Sequence, residues 1–164
     1  MAATFRLTLA QFNPLLGAIS DNADKAHAAW QAAKAAGADM VALPEMFLTG
    51  YQTQDLVMKP AFLRDVRAAL ADLAVRCADG PALGIGAPVA DADGLCNAWH
   101  VLQGGRVAAV VRKHHLPNDT VFDEKRLFRP GDVSGPYRIG PLRIGTPVCE
   151  DAWHEDVAEA QAES

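Results

Sequence analysis

Leu142-Arg143-Ile144-Gly145-Thr146-Pro147-Val148-Cys149-Glu150-Asp151-Ala152-Trp153 runs from an apolar stretch through one cysteine into an acidic stretch. The apolar part, 142 to 148, reads as a strand, and residues from Glu150 onward read as a helix. A cysteine at such a junction is well placed to present a thiolate. The strand end is rigid, and a helix N-terminus favours negative charge. Cys149 is therefore expected to be a nucleophile that alkylates well below the ordinary thiol range near ~8.5.

The chain upstream repeats the same strand-and-helix grammar. Phe5 to Phe12 reads as a strand with Phe5, Leu7 and Leu9 on one face, ended by Asn13-Pro14. Ser20 or Asp21 is a candidate cap for a helix running to about Ala36, with Gly37 at its C′ position. Ala26, Ala29, Trp30 and Ala33 give that helix an apolar stripe. Met40 to Leu43 reads as a short buried strand closed by Pro44. Phe62, Leu63, Val66, Leu70, Leu73 and Ala74 recur at helical spacing between Pro60 and Cys77. Ala82 to Ala87 is a glycine-rich apolar strand. Leu95 to Gln103 and Arg106 to Arg112 flank Gly104-Gly105, a two-residue hairpin signal. Residues 113 to 135 read as a long loop, and long loops in compact domains are usually functional. This order predicts an α/β layered fold with a mixed sheet.

The composition narrows the partners. The chain has 164 residues, half of them hydrophobic, which suits one domain with a real core. Lys and Arg number 15 against 20 Asp and Glu, a formal charge of −5. That balance argues against nucleic acid or an anionic membrane as partner. Residues 1 to 20 lack a leader pattern, and no apolar run approaches the ~18 residues of a spanning helix. Cys77, Cys96 and Cys149 are odd in number and far apart, which fits reduced thiols in a cytoplasm. No C-x-x-C or H-x-x-x-H spacing marks a metal site, and none is expected. His114-His115 reads as a loop pair, and Asp91-Ala92-Asp93-Gly94 as a turn.

Glu45 and Lys113 each follow a predicted strand, as Cys149 does. Ligands of open α/β sheets bind at the carboxyl ends of strands, so the three side chains are expected to converge there. A carboxylate can take a thiol proton, and a fixed ammonium can hold the oxyanion of acyl transfer. Each residue also has a plainer reading, as a small buried thiol, a loop carboxylate or a solvated strand-end charge.

Four segments carry more than spacing. Leu43-Pro44-Glu45-Met46-Phe47-Leu48-Thr49-Gly50-Tyr51, Arg112-Lys113-His114-His115-Leu116-Pro117, Val121-Phe122-Asp123-Glu124-Lys125-Arg126 and Pro147-Val148-Cys149-Glu150-Asp151-Ala152-Trp153 resemble the nitrilase superfamily of carbon–nitrogen hydrolases. The third and fourth are most similar to the amino-terminal glutaminase domain of glutamine-dependent NAD+ synthetases. The resemblance implies an α-β-β-α sandwich, and residues 1–164 would be its amino-terminal part, incomplete at the carboxyl end. It implies Cys149 as nucleophile, Glu45 as general base and acid, and Lys113 as holder of the oxyanion. Glu124 would support the lysine, and Tyr51, Phe122 and Glu150 would line the glutamine pocket. Asp119 stands where the family normally has tyrosine beside the substrate, so the glutamine site is expected to be altered there. No cofactor is implied for this domain. ATP and Mg2+ belong to a synthetase domain outside this sequence, a partner that would use the released ammonia, and a homo-oligomer is expected. Two other readings remain open: a stand-alone amidase acting on another small amide, and an inactive piece stable only by association. The acidic tail from residue 150 is expected to fray unless a second copy covers it.

Overall fold

Parallel strands need long crossovers, and the two alanine-rich helices supply them. In the computed structural model, which describes residues 4–164, β1 (Leu7–Leu9), β2 (Met40–Ala42), β3 (Ala82–Asp91), β4 (Gly94–Gln103) and β5 (Arg106–Arg112) form one sheet in chain order. Helix α1 (Ile19–Ala35) joins β1 to β2, and α2 (Pro60–Arg76) joins β2 to β3. The β1–β2 and β2–β3 pairs are parallel, and β3–β4 and β4–β5 are antiparallel. β1, β2, β3 and β5 therefore all point the same way. The carboxyl ends of β2 and β5, which carry Glu45 and Lys113, lie on one edge.

The two faces of the sheet differ. Leu83, Ile85, Ala87 and Leu102 turn toward the helices and meet Ala26, Trp30, Ala33, Leu70 and Leu73. Each large side chain buried there contributes roughly 1.5–3 kcal/mol. The opposite face carries Met40, Trp99, Val101 and Val111, covered by Tyr137, Ile139 and Val148. Gly84 and Gly86 leave room on that face: a Cβ on Gly84 would lie 2.3 Å from the Trp99 ring.

Several sequence expectations need correction. Helix α1 begins at Ile19, two residues before a Ser20 cap would start it, with Ala18 at its N-cap. Buried Asn22 does the local work instead, accepting the Leu15 N–H at 2.9 Å and donating to the Leu15 carbonyl at 2.8 Å. The strand expected over Phe5 to Phe12 is confined to Leu7–Leu9, and Leu7 and Leu9 are 51% and 74% exposed, since none of the described residues covers that side of this edge strand. Tyr137–Ile139 forms a strand the sequence reading missed, β6, which pairs antiparallel with β7 (Leu142–Ile144) as a separate two-stranded sheet. The predicted strand 142–148 is thus cut short at Ile144. The helix expected from Glu150 is a 3-10 turn, Cys149–Trp153, broken by extended His154 and followed by α3 (Glu155–Glu163). That segment packs against the domain, with Val157 and Gln161 buried.

Candidate active site

Glu45 lies on a loop pressed flat against β3. The Leu43 N–H bonds the Gly84 carbonyl at 2.9 Å, the Gly86 N–H bonds that of Pro44 at 3.3 Å, and the Leu48 N–H that of Gly86 at 3.0 Å. Such close approach needs glycine: a Cβ at Gly86 would lie 2.2 Å from the Met46 nitrogen. Met46 itself has φ +51, an uncommon conformation for a side-chain-bearing residue.

Lys113 is the first residue past β5. Its N–H bonds the Asn97 carbonyl at 2.9 Å and its carbonyl accepts the Gly131 N–H at 2.8 Å. Its side chain is fully buried between two carboxylates, with Nζ 2.8 Å from Glu45 Oε1, 3.0 Å from Glu124 Oε1 and 2.9 Å from Glu124 Oε2. The solvated strand-end reading is excluded. Tyr51 donates its hydroxyl to Glu124 Oε1 at 2.7 Å, extending the network.

Cys149 opens the 3-10 turn with φ +50, a strained conformation for a non-glycine residue that costs roughly 1–3 kcal/mol. Asp151 holds the turn. Its carboxylate is 1% exposed and accepts the backbone N–H groups of Val148 at 3.2 Å, His114 at 3.1 Å and His115 at 2.7 Å. One side chain therefore ties the segment after Lys113 to the segment before Cys149.

The electrostatics bear on the protonation states. Burial opposes the Lys113 charge, but Glu45 and Glu124 outweigh it and hold the ammonium above the ordinary lysine range. Burial raises the Glu124 carboxyl, with Lys113 and Tyr51 pulling it down. Burial, then the hydrogen bond to Glu124, lifts the Tyr51 phenol. Cys149 is exposed as a residue, yet desolvation around its thiol and then the Glu45 charge push it up to about 11, with Lys113 opposing. This reverses the expected low-range thiol. The helix N-terminus assumed in that expectation is a short turn, and the nearest strong charge is a carboxylate.

A buried lysine between two glutamates, beside a cysteine on a strained turn, is a constellation with known relatives. The sequence profile described as "Carbon-nitrogen hydrolase" matches residues 6–162. The chain belongs to the carbon–nitrogen hydrolase family. Among its relatives, the glutamine-dependent NAD(+) synthetase of Rhodobacter capsulatus is 67% identical over 99% of the chain, which spans 29% of that protein. The synthetase of Thermotoga maritima is 39% identical over 91% of the chain and 26% of its own length. The chain thus spans under a third of these relatives. Among solved structures, glutamine-dependent NAD+ synthetase from Acinetobacter baumannii superposes with a TM-score of 0.91 and 31% identity, over 97% of this chain and 30% of that one. An amidase from Nesterenkonia sp. AN1 shares the fold at a TM-score of 0.79 and 22% identity, over 97% and 63% of the two chains. The α/β nitrilase-type fold expected of this chain is borne out.

The structure brings Glu45, Lys113, Glu124 and Tyr51 into one network, with Cys149 close enough for its thiol to feel Glu45. The Phe122 ring lies 6.3 Å from that of Tyr51. Glu150 is half-buried and 3.5 Å from His154. Asp119 sits on an exposed turn, where its carbonyl accepts the Phe122 N–H at 2.9 Å. His114, His115 and Asp156 each offer a metal-type ligand atom within 4.8 Å. These groups are engaged otherwise: His114 Nδ1 with the Gly131 carbonyl at 2.8 Å, and His115 Nε2 with Asp156 at 2.9 Å. The sequence reading gave no role to Asn97 or Asp151. A polar residue at a fully buried register position of β4 was the available sign for Asn97.

Proposed function

We propose that this chain is the amino-terminal part of a glutaminase domain that hydrolyses the carboxamide of glutamine through a Cys149 thioester. The observation that carries the reading is the buried Lys113 ammonium clamped by Glu45 and Glu124 next to the Cys149 thiol. A thiol pushed up to about 11 is protonated at neutral pH, so it needs a base at the moment of attack, and Glu45 is the carboxylate at hand.

In this mechanism Cys149 transfers its proton to Glu45 as Sγ bonds the amide carbon. The carbonyl electrons move to oxygen. Lys113 has three N–H groups; two carboxylates engage it, which leaves one for the oxyanion, and water does not screen the fully buried ammonium. Collapse breaks the C–N bond while Glu45 returns the proton to the departing ammonia. Water, deprotonated by Glu45, then cleaves the thioester to glutamate and free thiol. Tyr51, Phe122, Glu124 and Glu150 line the substrate site, and Asp119 stands at its rim.

The proposal extends beyond these residues. Ammonia would pass to a synthetase domain that amidates deamido-NAD+ using ATP and Mg2+, neither of which this domain requires. The assembly would be a cytoplasmic homo-oligomer. Exposed Leu7 and Leu9 favour a second reading, in which the chain gains activity only once that face is covered.

The test is ammonia release from glutamine by the chain and by its Cys149→Ala variant. Release abolished in the variant supports the glutaminase. A variant as active as the parent overturns it. Release from asparagine or simple amides in preference to glutamine would favour a stand-alone amidase.

A further inference from the structure

We infer that Asn97 is a positioning residue that reserves one oxygen of Glu45 for the thiol proton. The inference rests on Glu45 acting as the base at this site. Asn97 is fully buried on β4, on the same face as Trp99 and Val101. Its Nδ2 donates to Glu45 Oε1 at 2.7 Å, and Lys113 Nζ reaches that same oxygen at 2.8 Å. Both buried donors meet the same oxygen, and the Cys149 thiol is the carboxylate's further hydrogen-bond partner. The carboxylate is thus pinned at one oxygen by two buried donors, and its other oxygen is left to receive a proton.

Asn97 also acts through its backbone. Its carbonyl accepts the Lys113 N–H at 2.9 Å, and its amide lies 3.5 Å from Glu124 Oε1. One residue of the central hairpin therefore sets the base, the cation and the second glutamate against one another. A core asparagine kept only for packing is expected to satisfy both ends of its amide. Here Oδ1 is buried with no partner, a cost of roughly 1–3 kcal/mol. Polar side chains retained under such strain mark sites where local rules yield to function. The charged and titratable groups around the Asn97 amide are Glu45, Lys113 and Glu124, with Tyr51 and Cys149 beyond them.

Removing the donor takes away one of the two buried partners of Glu45 Oε1 and lets the carboxylate turn. The test follows glutamine turnover, and alkylation of Cys149 by iodoacetamide assigned with Cys149→Ala. Both are measured in the wild type, in Asn97→Leu (similar in size, without a donor), in Asn97→Ala should leucine not pack, and in Asn97→Gln, which keeps an amide donor. In the variants without a donor, kcat is expected to fall roughly 10–100-fold while KM stays within about twofold. Alkylation of Cys149 should slow in the same variants, and Asn97→Gln should recover part of both rates. A folded donor-less variant whose kcat and alkylation rate match the wild type overturns the inference. Slowed alkylation in a protein that never hydrolyses glutamine leaves the positioning role standing and removes the glutaminase instead.

Discussion

The two halves of the site are held by different physics. Glu45, Lys113 and Asn97 stand on or beside strands of the five-stranded sheet and are fixed by ladder hydrogen bonds, glycine contacts and a buried ion cluster. Cys149 stands on a single 3-10 turn after a two-stranded sheet, and one buried carboxylate, Asp151, fixes it. The base and the cation are therefore preorganised by the core, whereas the nucleophile depends on a few side chain–backbone bonds. Perturbing the first half should cost stability together with activity. Perturbing the second should cost activity first.

Lys113→Met tests the sheet-borne half most severely. It leaves Glu45 and Glu124 buried without their cation, and a loss of about 3–5 kcal/mol in urea unfolding is expected, together with loss of activity. A change below about 1 kcal/mol would mean the cluster is not preorganised. Gly86→Ala comes next. The added Cβ must displace the Glu45 loop, so about 1–3 kcal/mol and most of the turnover should go together. Asp151→Asn keeps the volume but weakens the acceptor of three backbone N–H groups. About 1–2 kcal/mol is expected, with kcat reduced more than the stability loss alone would predict. Equal effects on both would erase the distinction between the halves.

The smallest effect lies on the helix-facing side, away from the chemistry. His100 is buried under α2, where desolvation lowers it to about 4 from 6.5. Its folded value is depressed, so below 6.5 the unfolded chain binds the extra proton. Stability from this residue is full above that pH and is lost as pH falls from 6.5 toward 4. Between pH 7 and about 5.5 the wild type should lose about 1 kcal/mol that His100→Gln does not. Parallel losses in the two proteins would show that the imidazole titrates freely.

The same division explains what was legible in the sequence. The hairpin around Gly104-Gly105, the stripe Ala26-Ala29-Trp30-Ala33 and the ends of β2 and β5 follow from local period and turn chemistry, so Glu45 and Lys113 were readable as strand-end residues. The Cys149 segment was misread because its conformation comes from tertiary contacts. Asp151 captures N–H groups from residues 36 and 37 positions away in the chain, and no local propensity encodes that. Tyr137–Ile139 was missed since three residues after Gly135-Pro136 carry too little alternation to register. Asn97 needed the fold as well, because only register shows that its amide meets Glu45. The raised thiol was opposite in sign to the reading for the same reason: the nearest charge is set by the fold, not by neighbours in sequence.

That raised thiol has a consequence for survival in an oxidising environment. Peroxide attacks thiolate rather than thiol, and at neutral pH a group near 11 is ionised in only about one molecule in ten thousand. Until an amide arrives to draw the proton onto Glu45, Cys149 offers oxidants almost nothing to react with, and sulfenic acid should form on it far more slowly than on a redox-sensing cysteine.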